Sequence, residues 1–572
     1  MADLQDLVYS LEVGVLRRWL IRSAVLLLML LLAGYYLGAQ FNGLSQPEAM
    51  DQAQIARQIS QGEGFTTKFI RPVILKYETE KSSAGGVDLN SVPDLINPPL
   101  YPYLLAGAFK VTGVSFEVDK SKLKGYSSFR PEIIMGFLNI LFFVAAMVIF
   151  YVWMSRSFDD RVAILASLLL VATDSIWQFV ISGLNVPLLL LLVCGLGAAF
   201  NEALRAEDEE QPGLSLVWLG VAAFLAGLAF MTRYSMLAIP LALVIISGFV
   251  FQRRYPALII SLAVPALVSL PWMLRNIQLS GNPFGYAWLQ IFAFDSVLWR
   301  TFSDSISGFI GLKPLIKAVA LGMGNQLENL GFYFGGFLLP GLFFISLLHV
   351  FRRGTLQNGR WFWLVATVLV LIFNAAVIKL ANPQESLELN GLIVLAPAFA
   401  AFGAAYAYTM IDRMKLPSSI LSIPIVIMIV GIQLVPMGIK VLQKNPPPYA
   451  YPPYFPPVLF FIKDWIEPDE LQSADIPWAT AWYCDRTSIW IPYKKKDFYA
   501  MNDFKFKISA MLFTPETSNR KMLTQIQTGE YAEWASLIKR TELKDLPLPF
   551  FTALPPNPQQ DYLYFSDRVR WR

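Results

Sequence analysis

The chain has 572 residues, 55% of them hydrophobic and only 15% charged, with a mean hydropathy of +0.48. An ordinary soluble domain carries about 25% charged residues, so this chain lacks the charge to cover a water-facing surface along its length, and much of it must face lipid. The net charge of +4 gives nucleic-acid binding no support, the single histidine, His349, excludes a histidine-rich metal centre, and Cys194 and Cys484 make neither a disulfide framework nor a zinc cage.

Crossing about 30 Å of hydrocarbon takes about 20 apolar residues. The first such run is Ile21–Gln40, with Arg17, Arg18 and Arg22 at its start. About twenty amphipathic residues precede it and no clear cleavage motif follows, so it reads as an uncleaved anchor rather than a signal peptide. Further runs are Ile133–Met154, Val162–Ile181, Asn185–Leu204, Leu214–Thr232, Ser235–Phe251, Pro256–Leu274, Phe332–Val350, Trp361–Lys379, Asn390–Met410 and Ser418–Lys440. They predict an α-helical polytopic membrane protein of about eleven spans, within a range of ten to twelve.

Basic residues in short loops set the orientation. With the amino terminus (1–20) in the cytoplasm, Arg156/Arg161, Arg205, Arg253/Arg254, Arg352/Arg353/Arg360 and Arg413/Lys415 fall inside, and the opposite short loops carry almost only Arg233. Three larger pieces then lie outside: 41–132, 275–331 and the tail after Lys440.

The first outer loop begins with Ser45 to Gly62, a short amphipathic helix whose stripe of Ala49, Met50, Ala53, Ala56 and Ile59 fits the membrane surface. Ser45 and Glu48 have capping-box spacing, Pro47 suits the first turn, and Gly62 and Gly64 stop the helix. Glu48 thus has a structural explanation as the capping acid. Asp51, three residues on and able to share a face with it, has none and is the better candidate for a general base. Arg71-Pro72 follows, then a polar loop around Ser82–Gly86, then Asn97-Pro98-Pro99-Leu100-Tyr101-Pro102 opening a second short helix. Arg130 stands just before the second span. An arginine at a membrane edge snorkels to lipid phosphate, and the same position suits a lipid-linked phosphate substrate.

The tail opens on a Pro/Tyr-rich connector (441–458) whose prolines favour extended geometry. Beyond it, Ile476–Pro492 reads as strand with a turn at Cys484-Asp485-Arg486, and Ser518–Lys539 reads as helix. A small extracytoplasmic α/β domain over 459–572 is the expectation.

The order of these features resembles the GT-C superfamily of polytopic glycosyltransferases, in the bacterial branch of protein O-mannosyltransferases and aminoarabinose lipid A transferases. The likeness runs over about residues 20–440: one span, an acid soon after it, a Gly62-x-Gly64-Phe65 stop, the Asn97-Pro98-Pro99 box and Arg130 before the second span. Thr232-Arg233-Tyr234, Pro271-Trp272-Met273-Leu274-Arg275-Asn276 and Gly281-Asn282-Pro283 add to it. The family's acidic pair is absent as a dipeptide, so its acid maps to Glu48 or Asp51. No Asp-x-Asp pair occurs in this loop, which leaves a required metal or other cofactor unsupported. The tail matches no catalytic module.

The resemblance implies a bacterial inner-membrane enzyme that moves a sugar from a polyprenyl-phosphate carrier to a lipid, glycan or protein acceptor on the outer face. Asp51, with Glu48, would supply the base; Arg130, Arg233, Arg275 and Arg71 would hold the carrier phosphate; Tyr101, Asn276, Glu385 and Glu388 would line the sugar or acceptor pocket. Membrane lipids are the other partners. A transporter or flippase of lipid-linked saccharides and a noncatalytic envelope assembly protein are the competing readings.

Overall fold

The structure is a computed structural model that describes residues 15–41, 43–81, 88–89, 91–118, 129–292, 298–302, 312–378, 391–415, 421–442, 456–503, 505–514, 517, 528, 532–538, 546–557 and 560–571. Among the described residues, eight helices are long and apolar enough to cross a membrane: Ser23–Gln40, Arg130–Ser157, Val186–Asp208, Pro212–Thr232, Arg254–Ser280, Gly354–Val377, Ile393–Arg413 and Ser422–Leu442. The run expected as one span over Val162–Ile181 is instead two helices, Asp160–Val171 and Asp174–Ile181, bent by 61° where they meet, which makes nine crossings if the pair counts as one. The remaining two of the eleven expected spans contain shorter helices, Tyr234–Val250 and, inside Phe332–Val350, Leu338–Ser346.

The bend has a chemical cause. Asp174 falls inside the apolar run, and a carboxylate there needs partners. It takes the Tyr36 hydroxyl at 2.7 Å and the Lys440 ammonium at 2.7 Å, while the Thr173 hydroxyl bonds back to the Leu169 carbonyl at 2.7 Å. The last span is otherwise thinly packed, and Lys440 together with Gln433, which donates to Thr173 (3.0 Å) and the Phe334 carbonyl (2.8 Å), ties it to the bundle.

The loop between the first two spans carries helix α1 (Pro47–Gln61), strand β1 (Phe69–Ile70), helix α2 (Pro72–Lys81) and helix α3 (Leu100–Thr112). Helix α1 starts from Gln46 with Pro47 in its first turn and no side-chain cap, so the expected Ser45–Glu48 capping box does not form. Gly62 ends it at φ +93°, a left-handed position that glycine adopts without strain. Residues 49–58 are buried on every face, so α1 is an interior helix rather than one lying on the membrane surface. Glu48, Asp51, Gln54 and Arg57 meet partners on several sides of it, while Gln52 Oε1 and Gln58 Nε2 are buried without one among the described residues.

One of those sides is the carboxy-terminal segment, which forms a sheet in the order β1-β3-β2-β4-β6-β5 with β2 (Leu471–Ala474), β3 (Ser488–Trp490), β4 (Ile508–Phe513), β5 (Phe550–Asn557) and β6 (Gln560–Ser566). The first four strands in that order run parallel, and β6 pairs antiparallel with both β4 and β5. Strand β1 belongs to the first inter-span loop and pairs Phe69 with Ser488 and Ile70 with Ile489, so this sheet is shared between the two ends of the chain. The strand expected over Ile476–Pro492 is corrected: Pro477–Cys484 is helical, the chain turns at Asp485 (φ +55°), and only Ser488–Trp490 is strand. Continuous burial through this stretch left no alternating pattern from which to tell strand from helix. The polar loop at 82–86, nearly all of the Pro/Tyr connector and most of Ser518–Lys539 lie outside the described residues; Ala532–Ile538 is helical, and a helix begins directly on Pro456-Pro457.

A buried carboxylate fastens this sheet to the bundle. Glu132, fully buried in the first turn of the second span, accepts the Trp482 indole N–H at 2.9 Å and the Tyr483 hydroxyl at 2.5 Å. Glu132→Ala strips two buried donors of their acceptor and is expected to cost about 2–4 kcal/mol, against about 1 kcal/mol for Tyr483→Phe. Thermal unfolding in detergent measures both, and equal losses would contradict the assignment.

Candidate active site

Helix α1 delivers Asp51 into the space between the bundle and β1. The residue is 3% exposed, and its carboxylate accepts three side-chain donors. Arg71 Nη2 lies 2.9 Å and Asn97 Nδ2 3.1 Å from Oδ2, while Gln54 Nε2 is 3.3 Å from Oδ1. Arg71 follows β1 directly, and its guanidinium stacks 4.0 Å above the Phe69 ring. Its Nη1 is buried without a hydrogen-bond partner among the described residues. Gln54 fixes the spacing of helix and strand: it donates to the Thr67 hydroxyl at 2.7 Å and accepts the Lys68 amide N–H at 3.0 Å.

Asn97 is shared. Its amide also donates to Asp94 Oδ2 at 3.2 Å, and Asp94 Oδ1 accepts the backbone N–H groups of Ile96 (3.1 Å) and Asn97 (2.7 Å), an Asx turn leading into the proline pair. Burial, reinforced by the negative charge of Asp51, pushes the Asp94 carboxyl up to about 6; the Asn97 amide, Arg71 and the Ile96 amide oppose the shift. Arg275 closes this side. It donates to the Asp94 carbonyl (3.2 Å), the Phe65 carbonyl (3.3 Å) and Asn276 Oδ1 (3.3 Å), and stacks 4.4 Å from the Trp272 ring. Among the described residues Arg275 pairs with no carboxylate. Gly285, at φ +60°, lets the chain pass so close to Leu95 that an added Cβ would sit 2.2 Å from its carbonyl oxygen, and Tyr286 N–H bonds that oxygen at 2.8 Å.

The other expected residues divide. Glu48 binds Arg233 at 3.1 Å, a second carboxylate–guanidinium pair one helical turn before Asp51, and not a cap. Asn276 donates to the Pro283 carbonyl (3.1 Å) and helps hold Arg275. Tyr101 is fully buried and donates to the Gly183 carbonyl at 2.8 Å, so it braces a turn of the bundle instead of lining a pocket. Arg130 is exposed at the start of its span, outside this network. Glu385 and Glu388 lie outside the described residues. Asp94 and Gln54 are absent from the sequence-derived candidates, and Asn97 enters there only through the Asn97-Pro98-Pro99 box; the Asp94-x-x-Asn97 spacing ahead of two prolines is the available signal.

Among the described residues no group of three or more metal-ligating side chains converges. Asp51 Oδ2 and both Asp94 oxygens are taken by nitrogen donors. Among the described residues, these oxygens face nitrogen donors rather than a shared cation site. What the cluster offers is a buried carboxylate beside guanidinium groups, near the carboxy-terminal ends of the helices Pro212–Thr232 and Arg254–Ser280 that bring Arg233 and Arg275. The apolar grooves of the bundle, one by Trp153, Gly197 and Phe402 and another by Val148, Gly195 and Trp218, contain none of these residues.

No family model and no curated protein matches the sequence. Solved structures do match the fold. The oligosaccharyltransferase of Archaeoglobus fulgidus, in complex with Zn and sulfate, superposes with a TM-score of 0.55 at 13% identity over 94% of this chain and 72% of that one. The archaeal oligosaccharyltransferase AglB of Archaeoglobus fulgidus, in complex with an inhibitory peptide and a dolichol-phosphate, gives 0.54 at 11% over 96% and 74%. ArnT from Cupriavidus metallidurans, bound to undecaprenyl phosphate, gives 0.51 at 11% over 95% and 97%. These are GT-C polytopic membrane glycosyltransferases, and theirs is the fold of this chain.

Asp94 makes the cluster sensitive to pH. A carboxyl raised from 3.8 to about 6 contributes stability that is full below about pH 4 and is lost as pH rises through about 6. Asp94→Asn keeps an acceptor oxygen for the Ile96 and Asn97 amides without the charge. It is expected to melt several degrees above wild type near pH 7.5 and to lose that advantage near pH 4; a variant that is less stable at both would overturn the assignment.

Proposed function

We propose that this chain, folded as the GT-C glycosyltransferases are, transfers a sugar from a polyprenyl-phosphate-linked donor to an acceptor hydroxyl on the extracytoplasmic face of the membrane. The observation that carries the reading is the buried Asp51–Arg71 pair at 2.9 Å, with Arg71 Nη1 buried and without a hydrogen-bond partner among the described residues. A base must reach the acceptor hydroxyl, and cationic donors must meet the charge that builds on the departing phosphate. Asp51 and Arg71 place both functions side by side.

In the proposed step the acceptor O–H gives its proton to Asp51 as its oxygen forms a bond to the anomeric carbon. The carbon–oxygen bond to the phosphate breaks, and its electron pair leaves with the phosphate. Attack opposite the leaving group inverts the anomeric centre, as in single-displacement glycoside chemistry. Asp51 Oδ1 is the more available oxygen, since its one side-chain donor is at 3.3 Å while Oδ2 holds two shorter bonds. Arg71 and Arg275 take the phosphate, for which the forked guanidinium is suited. Glu48 pairs with Arg233 and serves the site through that cation. The dolichol-phosphate and undecaprenyl phosphate of the similar structures support a carrier of this class. The orientation follows from the basic loops: amino terminus inside, with α1 and the sheet, including the α/β unit after 459, outside.

Asp51→Asn is expected to reduce transfer by about 10²–10⁴-fold while undecaprenyl phosphate still binds. Arg71→Ala and Arg275→Ala should instead weaken that binding. Mass spectrometry of envelope glycolipids and glycoproteins, with and without the protein, identifies the lost product; near-normal product with Asp51→Asn would remove the base assignment. Accumulation of unflipped carrier in the deletion strain would favour transport over transfer.

A further inference from the structure

We infer that Asp485, in the carboxy-terminal segment, is a positioning residue for Asp51 and Arg71, so that this segment completes the active site rather than merely being attached to it. The inference rests on the reading of Asp51 as the base.

Asp485 accepts from two cations of the first inter-span loop. Arg57 Nη2 is 2.8 Å from Oδ2, and Lys68 Nζ is 2.5 Å from Oδ1. Lys68 Nζ also donates to the Asp485 carbonyl at 3.3 Å, and Arg57 Nη1 to the Trp482 carbonyl at 3.2 Å. Arg57 lies on α1 six residues beyond Asp51, about 9 Å along the helix. Lys68 lies three residues before Arg71, about 10 Å along the extended chain. The contacts form a closed ring: from Asp51 along α1 to Arg57, through Asp485 to Lys68, along β1 to Arg71, and back to Asp51. Asp485 is the only member of that ring outside the loop.

The ring is built of stiff parts. Arg57 is 3% exposed and stacks 4.7 Å from the Phe116 ring. Burial lowers its pKa, and among the charges around it Asp485 opposes that shift most strongly. A buried guanidinium that loses its carboxylate is costly and moves to find another partner. Lys68 is held at its backbone as well, since its carbonyl accepts the Ser488 N–H at 2.8 Å in the β1–β3 pairing. The backbone at Asp485 is left-handed (φ +55°, ψ 40°), a conformation that Asp and Asn tolerate better than other non-glycine residues. The carboxylate is thus presented by a turn that other side chains would strain.

A displacement of about 1 Å at a reacting pair can cost about 10²-fold in rate. Gln54 bridges the same helix and strand independently, so loss of Asp485 should loosen the pair without freeing it. Asp485→Asn, which preserves the turn, is expected to lower product formation at least about tenfold while weakening undecaprenyl phosphate binding far less than Arg71→Ala does; Asp485→Glu, which restores the charge, should recover part of the loss.

The test complements a deletion strain with full-length variants, quantifies the envelope product by mass spectrometry, and measures melting and undecaprenyl phosphate binding on the purified proteins. Asp51→Asn runs in parallel. Full product with Asp485→Asn and none with Asp51→Asn overturns the positioning role alone, whereas full product with Asp51→Asn overturns the base on which it rests. If Asp485→Asn does not fold, Lys68→Met removes one arm while Arg57 keeps its carboxylate. A severalfold loss of product at an unchanged melting temperature supports the ring; full product there makes Asp485 a stability element and overturns the inference.

Discussion

The arrangement of the first inter-span loop depends on keeping one charge, that of Asp51, at a place nearly sealed from water. An isolated carboxylate cannot stay ionised in such a place without matched charge and hydrogen bonds. Asp51 receives both from segments that are far apart in function: a helix supplies Gln54, a strand end supplies Arg71, and a proline-stiffened turn supplies Asn97. Each supplier must in turn be fixed. Helix α1 is interior because the bundle lies on one side and the sheet on another, and the Asp94–Asn97 turn is fixed by its own amides and by the chain passing over Gly285.

The same logic explains why the two ends of the chain share a sheet. Residues 69–70 are too short a strand to stand alone. Paired with β3 they become an edge strand of a six-stranded sheet, and Lys68, Phe69 and Arg71 inherit its rigidity. The glutamate at the start of the second span binds Trp482 and Tyr483, immediately before the turn that presents Asp485. Membrane bundle, loop and sheet are therefore joined through buried polar groups, which fix register where apolar packing alone would allow sliding.

Much of this was legible in residue types and little in pairings. Lipid-facing runs announce themselves by composition, so the membrane class and most spans followed directly. The bend at Asp174 did not, because what breaks the run is a partner, Lys440, more than 250 residues later. Glu48 and Asp51 could be told apart as unequal, yet Glu48 looked like a cap, since a local explanation was complete without Arg233. Asp94 and Asp485 were invisible for the same reason: an Asx turn and a loop carboxylate are ordinary locally, and their role comes from long-range contacts. Helix α1 reads as amphipathic when its polar residues are taken to face water, whereas Glu48, Asp51, Gln54 and Arg57 face other polar groups.

The two carboxylate–arginine pairs on α1 differ in a way that bears on the chemistry. Glu48 and Arg233 are 22% and 16% exposed at the side chain, Asp51 and Arg71 5% and 13%. Water screens the first pair more, so the second acts in the stronger local field. Counted together, Asp51, Glu48 and Asp94 face Arg71, Arg233 and Arg275, an even balance when all are ionised. Burial and the charge of Asp51 raise the Asp94 carboxyl to about 6. An arriving phosphate would raise it further, since like charge disfavours ionisation. Proton uptake there would leave Arg275, bonded to the Asp94 backbone carbonyl rather than to its carboxylate, with its charge directed at the phosphate. On the proposed reading, a balanced and tightly buried cluster can thus accept a charged headgroup without rearranging the groups that hold Asp51.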